Sequence, residues 1–183
     1  MKLTVLMHLR FIRLLFCALL LVACLAISSG AAHASPAVLT CLAGTFTNTY
    51  SPGITNTRQS IKISAHEDLD DCTATGSNLT AGSTSYSVTV TTSCLLGINI
   101  PSISSAVYHW NDGSSSTIAT ITDISTRLVN GTLQVTATGH VVAGYGSGSL
   151  ATYTIVLPQL DPLKCATPQG VTQQQGPESL NFV

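Results

Sequence analysis

The stretch ISTRLVNGTLQVTAT, residues 124–138, predicts the character of the whole fold. At its centre is Asn130-Gly131, a pair that readily supplies the two positive φ angles of a type I′ hairpin turn. On the C-terminal side, apolar residues alternate with Thr and Gln, as in a strand with one buried and one wet face. We therefore expect residues 124–129 to pair antiparallel with residues 132–138.

The same alternation recurs along the chain, as in SIKISAH (60–66) and LATYTIVL (150–157). Turn sequences rich in Gly, Asn and Ser separate such segments, and no later stretch has a convincing helical period. We expect eight strands, at residues 37–49, 58–66, 85–91, 105–110, 116–123, 125–129, 132–142 and 149–158.

Eight short antiparallel strands predict an all-β domain. A two-sheet sandwich, Ig-like in general architecture, is the expected arrangement, and a closed β-barrel is the alternative. The Gln- and Pro-rich residues 159–183 are expected to be irregular, with SLNFV (179–183) as a candidate edge strand.

The N-terminus has the three parts of a secretory signal peptide. Basic residues come first, residues 14–27 are apolar throughout, and a run of small residues ends in Ala32-His33-Ala34. This A-x-A site predicts cleavage between Ala34 and Ser35. The apolar run is shorter than the roughly 20 residues that cross a bilayer, so we expect a cleaved signal at residues 1–34 and a secreted protein.

The alternative is a lipid anchor. Leu21-Val22-Ala23-Cys24 resembles a bacterial lipobox, which would attach the protein through Cys24 to the outer face of the cell membrane. The residues after Cys24 are still apolar, so the cysteine lies inside the apolar run, and cleavage after Ala34 is favoured. With either signal, no segment of the mature chain is long and apolar enough to predict a transmembrane helix.

The mature chain, residues 35–183, has the length of one domain and a net charge of −4, with four basic and eight acidic side chains. No basic patch indicates a nucleic-acid partner. Four cysteines remain after cleavage, and an even number in an exported chain predicts two disulfides. We expect Cys72–Cys94, around a β excursion, and Cys41–Cys165, joining the ends of the domain.

Two clusters stand out as candidate sites. The segment HEDLDD, His66–Asp71, offers carboxylates for calcium but lacks the pattern of an EF-hand loop, so we interpret it as a solvated acidic loop. The only tryptophan, Trp110, alternates with Tyr108 on one strand face, opposite His109. That pattern predicts core packing rather than an exposed platform for sugars. We predict no metal site and no cofactor.

A nucleophilic site would need a hydroxyl, a base and an orienting group. The candidate bases are His66, His109 and His140, with Asp112 and Asp123 as partners. Residues 144–149, GYGSGS, are not the G-x-S-x-G motif and lack its strand–turn–helix context, so we interpret them as a glycine-rich turn. We therefore assign no catalytic residue.

The stretches VLTCLAGTFTNTYSPGIT (38–55), WNDGSSST (110–117) and NGTLQVTATGHVVAGYGSGS (130–149) resemble small secreted proteins of actinomycetes. The resemblance covers most of residues 35–160, and its motifs are a cysteine and turn glycines. It implies a bacterial origin, export and β structure, and it carries no catalytic residue.

The function expected from the sequence is a non-catalytic extracellular protein that binds another protein or a cell-envelope ligand. One alternative is a small secreted hydrolase that uses His109 or His140 with a nearby Asp and Ser. Another is a secreted protease inhibitor that presents the segment between Cys72 and Cys94 as a braced loop.

Overall fold

The computed structural model describes residues 38–96, 103–127 and 131–183, without the side chains of residues 120 and 123–127. This part of the chain contains eight strands and one short helix, α1 (Pro162–Cys165). The strands are β1 (Leu39–Ile54), β2 (Gln59–Ala74), β3 (Gly82–Thr92), β4 (Ser105–Trp110), β5 (Ser115–Arg127), β6 (Leu133–Gly144), β7 (Leu150–Leu157) and β8 (Val171–Phe182). The signal peptide, its cleavage site and Cys24 lie outside the described residues.

The eight strands form a closed antiparallel barrel in which each strand pairs with its neighbours in the chain. β8 closes it by pairing with β7 on one side and β1 on the other. The predicted sandwich is therefore wrong, and the alternative, a closed barrel, is correct. The prediction fails at β8, because the Gln- and Pro-rich sequence VTQQQGPESLNF hides the apolar alternation and is typical of an irregular tail.

The predicted hairpin around Asn130-Gly131 is confirmed on both sides of the turn, where Arg127 pairs with Leu133 and Ile124 with Thr136. Gly131 has a φ of 83°, a conformation that glycine adopts without the steric cost of a side chain. The segments predicted as two strands, 116–123 and 125–129, fall on the single strand β5 as far as Arg127, and residues 128 and 129 lie outside the described residues.

Side chains fill the interior of the barrel. The larger of two apolar clusters contains Phe46, Tyr108, Trp110 and Phe182, all at most 4% exposed. Trp110 stacks on Tyr108 with 5.9 Å between ring centroids, and its Nε1 donates to Ser116 Oγ at 2.8 Å. Core packing of Trp110 is thus confirmed. The smaller cluster, around Ile54, Ile61 and Ile63, fills the opposite end of the barrel.

The four cysteines form two disulfides, but the predicted pairing is wrong. Cys41 is bonded to Cys72, its direct partner in the β1–β2 register, and Cys94 is bonded to Cys165. Because β2 and β3 are antiparallel, Cys72 lies near their turn and Cys94 lies beyond their other end, roughly 40 Å away along the strands. Each end of the barrel therefore has its own disulfide, and two disulfides indicate an oxidising environment.

No helix among the described residues combines the length and hydropathy needed to cross a bilayer.

Candidate functional site

Two carboxyl groups lie inside the barrel. Glu67 on β2 and Glu178 on β8 are 1% and 3% exposed. The hydroxyl of Tyr108, from β4, donates a hydrogen bond to Glu67 Oε2. Neither oxygen of Glu178 has a hydrogen-bond partner of standard geometry among the described residues, and the Glu67 carboxyl interacts with it electrostatically. We call Glu67, Glu178, Tyr86 and Tyr108 the interior carboxyl cluster.

Burial is the main influence on the charges of this cluster. It raises the pKa of Glu178 to about 11, and the neighbouring Glu67 carboxyl adds to the increase. Burial also raises the pKa values of Tyr86 and Tyr108, again with a contribution from Glu67. At neutral pH, Glu178 and both tyrosines are therefore uncharged. Glu67, Glu178 and Tyr108 are buried, so a substrate outside the barrel does not reach them, whereas Tyr86 is partly exposed.

The segment predicted as an acidic loop is part of β2, so the prediction of a loop is wrong. Residues 66–70 alternate across the strand, so that Glu67 and Leu69 face inward and His66, Asp68 and Asp70 face outward. A strand separates successive side chains to opposite faces of a sheet. The carboxylate of Glu67 therefore points away from those of Asp68 and Asp70, which share the outer face.

A polar cluster covers the outer surface of β2 and β3. His66 Nε2 lies 3.0 Å from Asp68 Oδ2, and the two side chains are 52% and 57% exposed. The other ring nitrogen, His66 Nδ1, lies 2.7 Å from Ser85 Oγ, because Ser85 is the register partner of His66 on β3. We call Ser85, His66 and Asp68 the wall triad.

The other candidate bases do not form such a site. His109 and His140 are exposed on the outer surface of β4 and β6. Asp112 lies in the β4–β5 turn, where hydrogen bonds from Ser114 lower its pKa. The side chain of Asp123 lies outside the described residues. The structure thus joins a histidine, an aspartate and a serine, but the histidine is His66.

A hollow of about 440 Å³ opens at the barrel end near Ile54. Asn56, Leu95, Gln159, Leu160, Pro162 and the Cys94–Cys165 disulfide line it. We call it the end hollow. Leu95, on its lining, is 80% exposed, and Leu163, next to Pro162 on α1, is 81% exposed.

Backbone hydrogen bonds hold the segments around the end hollow together. Asn56 N donates to Cys165 O at 3.1 Å, and Cys94 N donates to Thr55 O at 2.8 Å. Asp161 caps α1 by accepting from Leu163 N at 2.9 Å. With the disulfide, these bonds fix three loops to one another, so the hollow is preformed. In contrast, the segment between Cys72 and Cys94, on which the inhibitor hypothesis depended, is not closed by a disulfide, because Cys72 is bonded to Cys41 and Cys94 to Cys165.

The sequence contains a signal for the burial of Glu67. Ile61, Ile63 and Ala65 share one face of the strand that contains SIKISAH, and the same alternation continued by one step puts Glu67 on that buried face. Glu178 had no such signal because its strand was not predicted. Ser85 was not recognised because its proximity to His66 depends on the β2–β3 register.

Comparison of the chain with family models, with curated proteins and with solved structures found no match.

Proposed function

We propose that the protein is an extracellular binding protein whose end hollow takes an apolar group of a protein or cell-envelope partner. The observation that carries this proposal is a preformed hollow at one end of a barrel that is otherwise filled. The exposed Leu95 lines this hollow, and the exposed Leu163 follows the lining residue Pro162 in the chain. Small barrels use their interior or their mouths for ligands. Here side chains occupy the interior, so the mouth is the remaining choice.

The leucines supply the driving force for this binding. Leu95 and Leu163 leave most of their side chains in water, and covering each of them would contribute about 1.5–3 kcal/mol. Asn56 and Gln159 on the lining supply amide groups that can hydrogen-bond a polar atom beside the apolar group. An aliphatic or aromatic side chain on an exposed peptide segment has this combination of chemistry.

The setting of the proposal is export from a bacterial cell. The signal-like N-terminus with its A-x-A site at Ala34 supports secretion, and the two disulfides agree with an oxidising compartment. The mature net charge of −4 argues against a nucleic acid as partner. Binding at the end hollow requires no catalytic residue.

A fluorescence titration with the neutral apolar probe N-phenyl-1-naphthylamine tests the end hollow. We expect saturable binding by the mature protein and at least fivefold weaker binding by Leu95→Ser and Leu163→Ser. Both leucines are exposed, so neither change should unfold the barrel. Val142→Ser is the matched control, because Val142 is 55% exposed on β6 near the other end.

The proposal fails if the folded wild-type protein does not bind the probe. It also fails if Val142→Ser weakens binding as much as the two leucine variants do, since the binding surface would then lie elsewhere.

A further inference from the structure

The wall triad has a geometry suited to nucleophilic chemistry, and this goes beyond the proposed binding function. His66 lies between its two partners, 3.0 Å from Asp68 Oδ2 and 2.7 Å from Ser85 Oγ. Asp68 follows His66 by two residues on the same strand face, and Ser85 lies directly across the β2–β3 ladder. The barrel wall therefore holds all three residues in place, without any loop.

The contacts select the tautomer that a general base needs. A carboxylate only accepts hydrogen bonds, so Asp68 accepts from the Nε2–H of a neutral His66 ring. The lone pair of Nδ1 is then directed at Ser85 and accepts its hydroxyl proton. This is the arrangement of a serine–histidine–aspartate triad with the two ring nitrogens exchanged, and such triads are recognised by geometry and role.

Space for a reactant lies beside Ser85. A shallow hollow of about 320 Å³ on the outer wall is lined by Ser85, His66, Thr47 and neighbouring hydroxyl residues of β1–β3. Thr47 is the register partner of His66 on β1, and its hydroxyl is a donor available to a developing oxyanion. The hollow is open and shallow, which suits a small acyl group rather than a long substrate.

We infer that Ser85 is an activated nucleophile that takes acyl groups from small esters. Ser85 Oγ attacks the carbonyl carbon of the ester while its proton passes to His66 Nδ1. The bond from that carbon to the alcohol oxygen then breaks, and Nδ1 returns the proton to the departing alcohol. Water attacks the Ser85 ester in the same way and releases a carboxylic acid and the free serine.

The test combines covalent labelling with turnover. The mature protein is treated with an alkyl fluorophosphonate, the labelled residue is mapped by mass spectrometry, and hydrolysis of p-nitrophenyl acetate is followed separately. We expect Ser85 to be labelled at least tenfold faster than any other serine. Both labelling and hydrolysis should fall at least tenfold in Ser85→Ala and His66→Gln, and by a smaller factor in Asp68→Asn.

Ser60→Ala is the matched control. Ser60 is exposed on the same outer face of β2 as His66, and it is not among the residues that line this hollow. This variant should keep wild-type labelling and hydrolysis. Equal labelling of Ser85 and Ser60, no labelling at all, or labelling that survives His66→Gln would each overturn the inference. Probe binding at the end hollow is independent of all these variants, so the two proposals fail separately.

Discussion

Residues 66, 67 and 68 are consecutive on β2, yet they belong to two different environments. Glu67 faces the barrel interior and is 1% exposed. His66 and Asp68 face outward, with more than half of each side chain in contact with solvent. On the inside, the carboxyls meet tyrosine hydroxyls and each other, and on the outside a carboxylate meets an imidazole and water.

The difference shows how strongly the alternation of a strand controls the behaviour of a charged group. In the interior, loss of hydration penalises the charged form, so the pKa of Glu178 rises to about 11. On the wall, water screens the His66–Asp68 pair. Polar groups on the wall therefore stay accessible to solvent and solutes. Polar groups in the interior instead affect the free energy of unfolding and its pH dependence.

The largest contrast is expected for the neighbouring pair Leu69 and Asp70. Leu69 is 1% exposed in the larger apolar cluster, so Leu69→Ala should lower the free energy of unfolding by about 2–5 kcal/mol. Asp70 is exposed on the outer face, and Asp70→Ala should change it by less than about 0.5 kcal/mol. Urea unfolding measures the free energy of unfolding of both variants. Similar losses of stability in the two variants would contradict the difference in burial between the two faces of β2.

The next contrast is in the pH dependence of stability. The folded protein keeps a proton on Glu178 that the unfolded chain releases above about pH 4.5. This contribution to stability is complete below that pH and is lost progressively as the pH rises toward about 11. Each pH unit in this window removes up to about 1.4 kcal/mol, so we expect a loss of up to about 3 kcal/mol between pH 6 and pH 8.

Glu178→Gln separates this effect from other titrations, because glutamine has the shape of the protonated acid. The variant should be more stable than the wild type at pH 8, with a flatter profile between pH 6 and pH 8. Asp70→Asn, which neutralises an acid on the wet face, should keep the wild-type slope. Thermal melts across this range provide the measurement, and an unchanged slope in Glu178→Gln would show that this group is not the cause.

The same two faces explain what the sequence could and could not predict. Local sequence patterns predict the alternation within β2, β6 and β7, the Asn130-Gly131 hairpin and the burial of Trp110. A strand with one buried face shows that face in its own sequence, as apolar residues at every second position. Barrel closure depends on β8, where Gln174 and Glu178 occupy buried positions. A pattern search for apolar residues overlooks a strand whose buried positions include polar side chains.

The disulfide pairing and the wall triad were missed for a related reason. Cys41 meets Cys72, and His66 meets Ser85, only once strand register is known. Spacing along the chain carries no such information, because a shift of one residue exchanges the two faces of a strand. Residue composition therefore indicated which groups were present, while register decided which of them meet.

The smallest effect is expected for the His66–Asp68 pair itself. Both side chains are more than half exposed, and exposed pairs of this kind couple by about 0.2–1 kcal/mol when the histidine is protonated. A double-mutant cycle with His66→Ala and Asp68→Ala, measured by urea unfolding at low and at high salt, should give a coupling in this range that shrinks with salt. A coupling above about 2 kcal/mol that persists in high salt would mean that the wall excludes water around His66. The sharp division between the two faces of β2 would then not hold, and the wall triad would lie in surroundings closer to those of an enclosed active site.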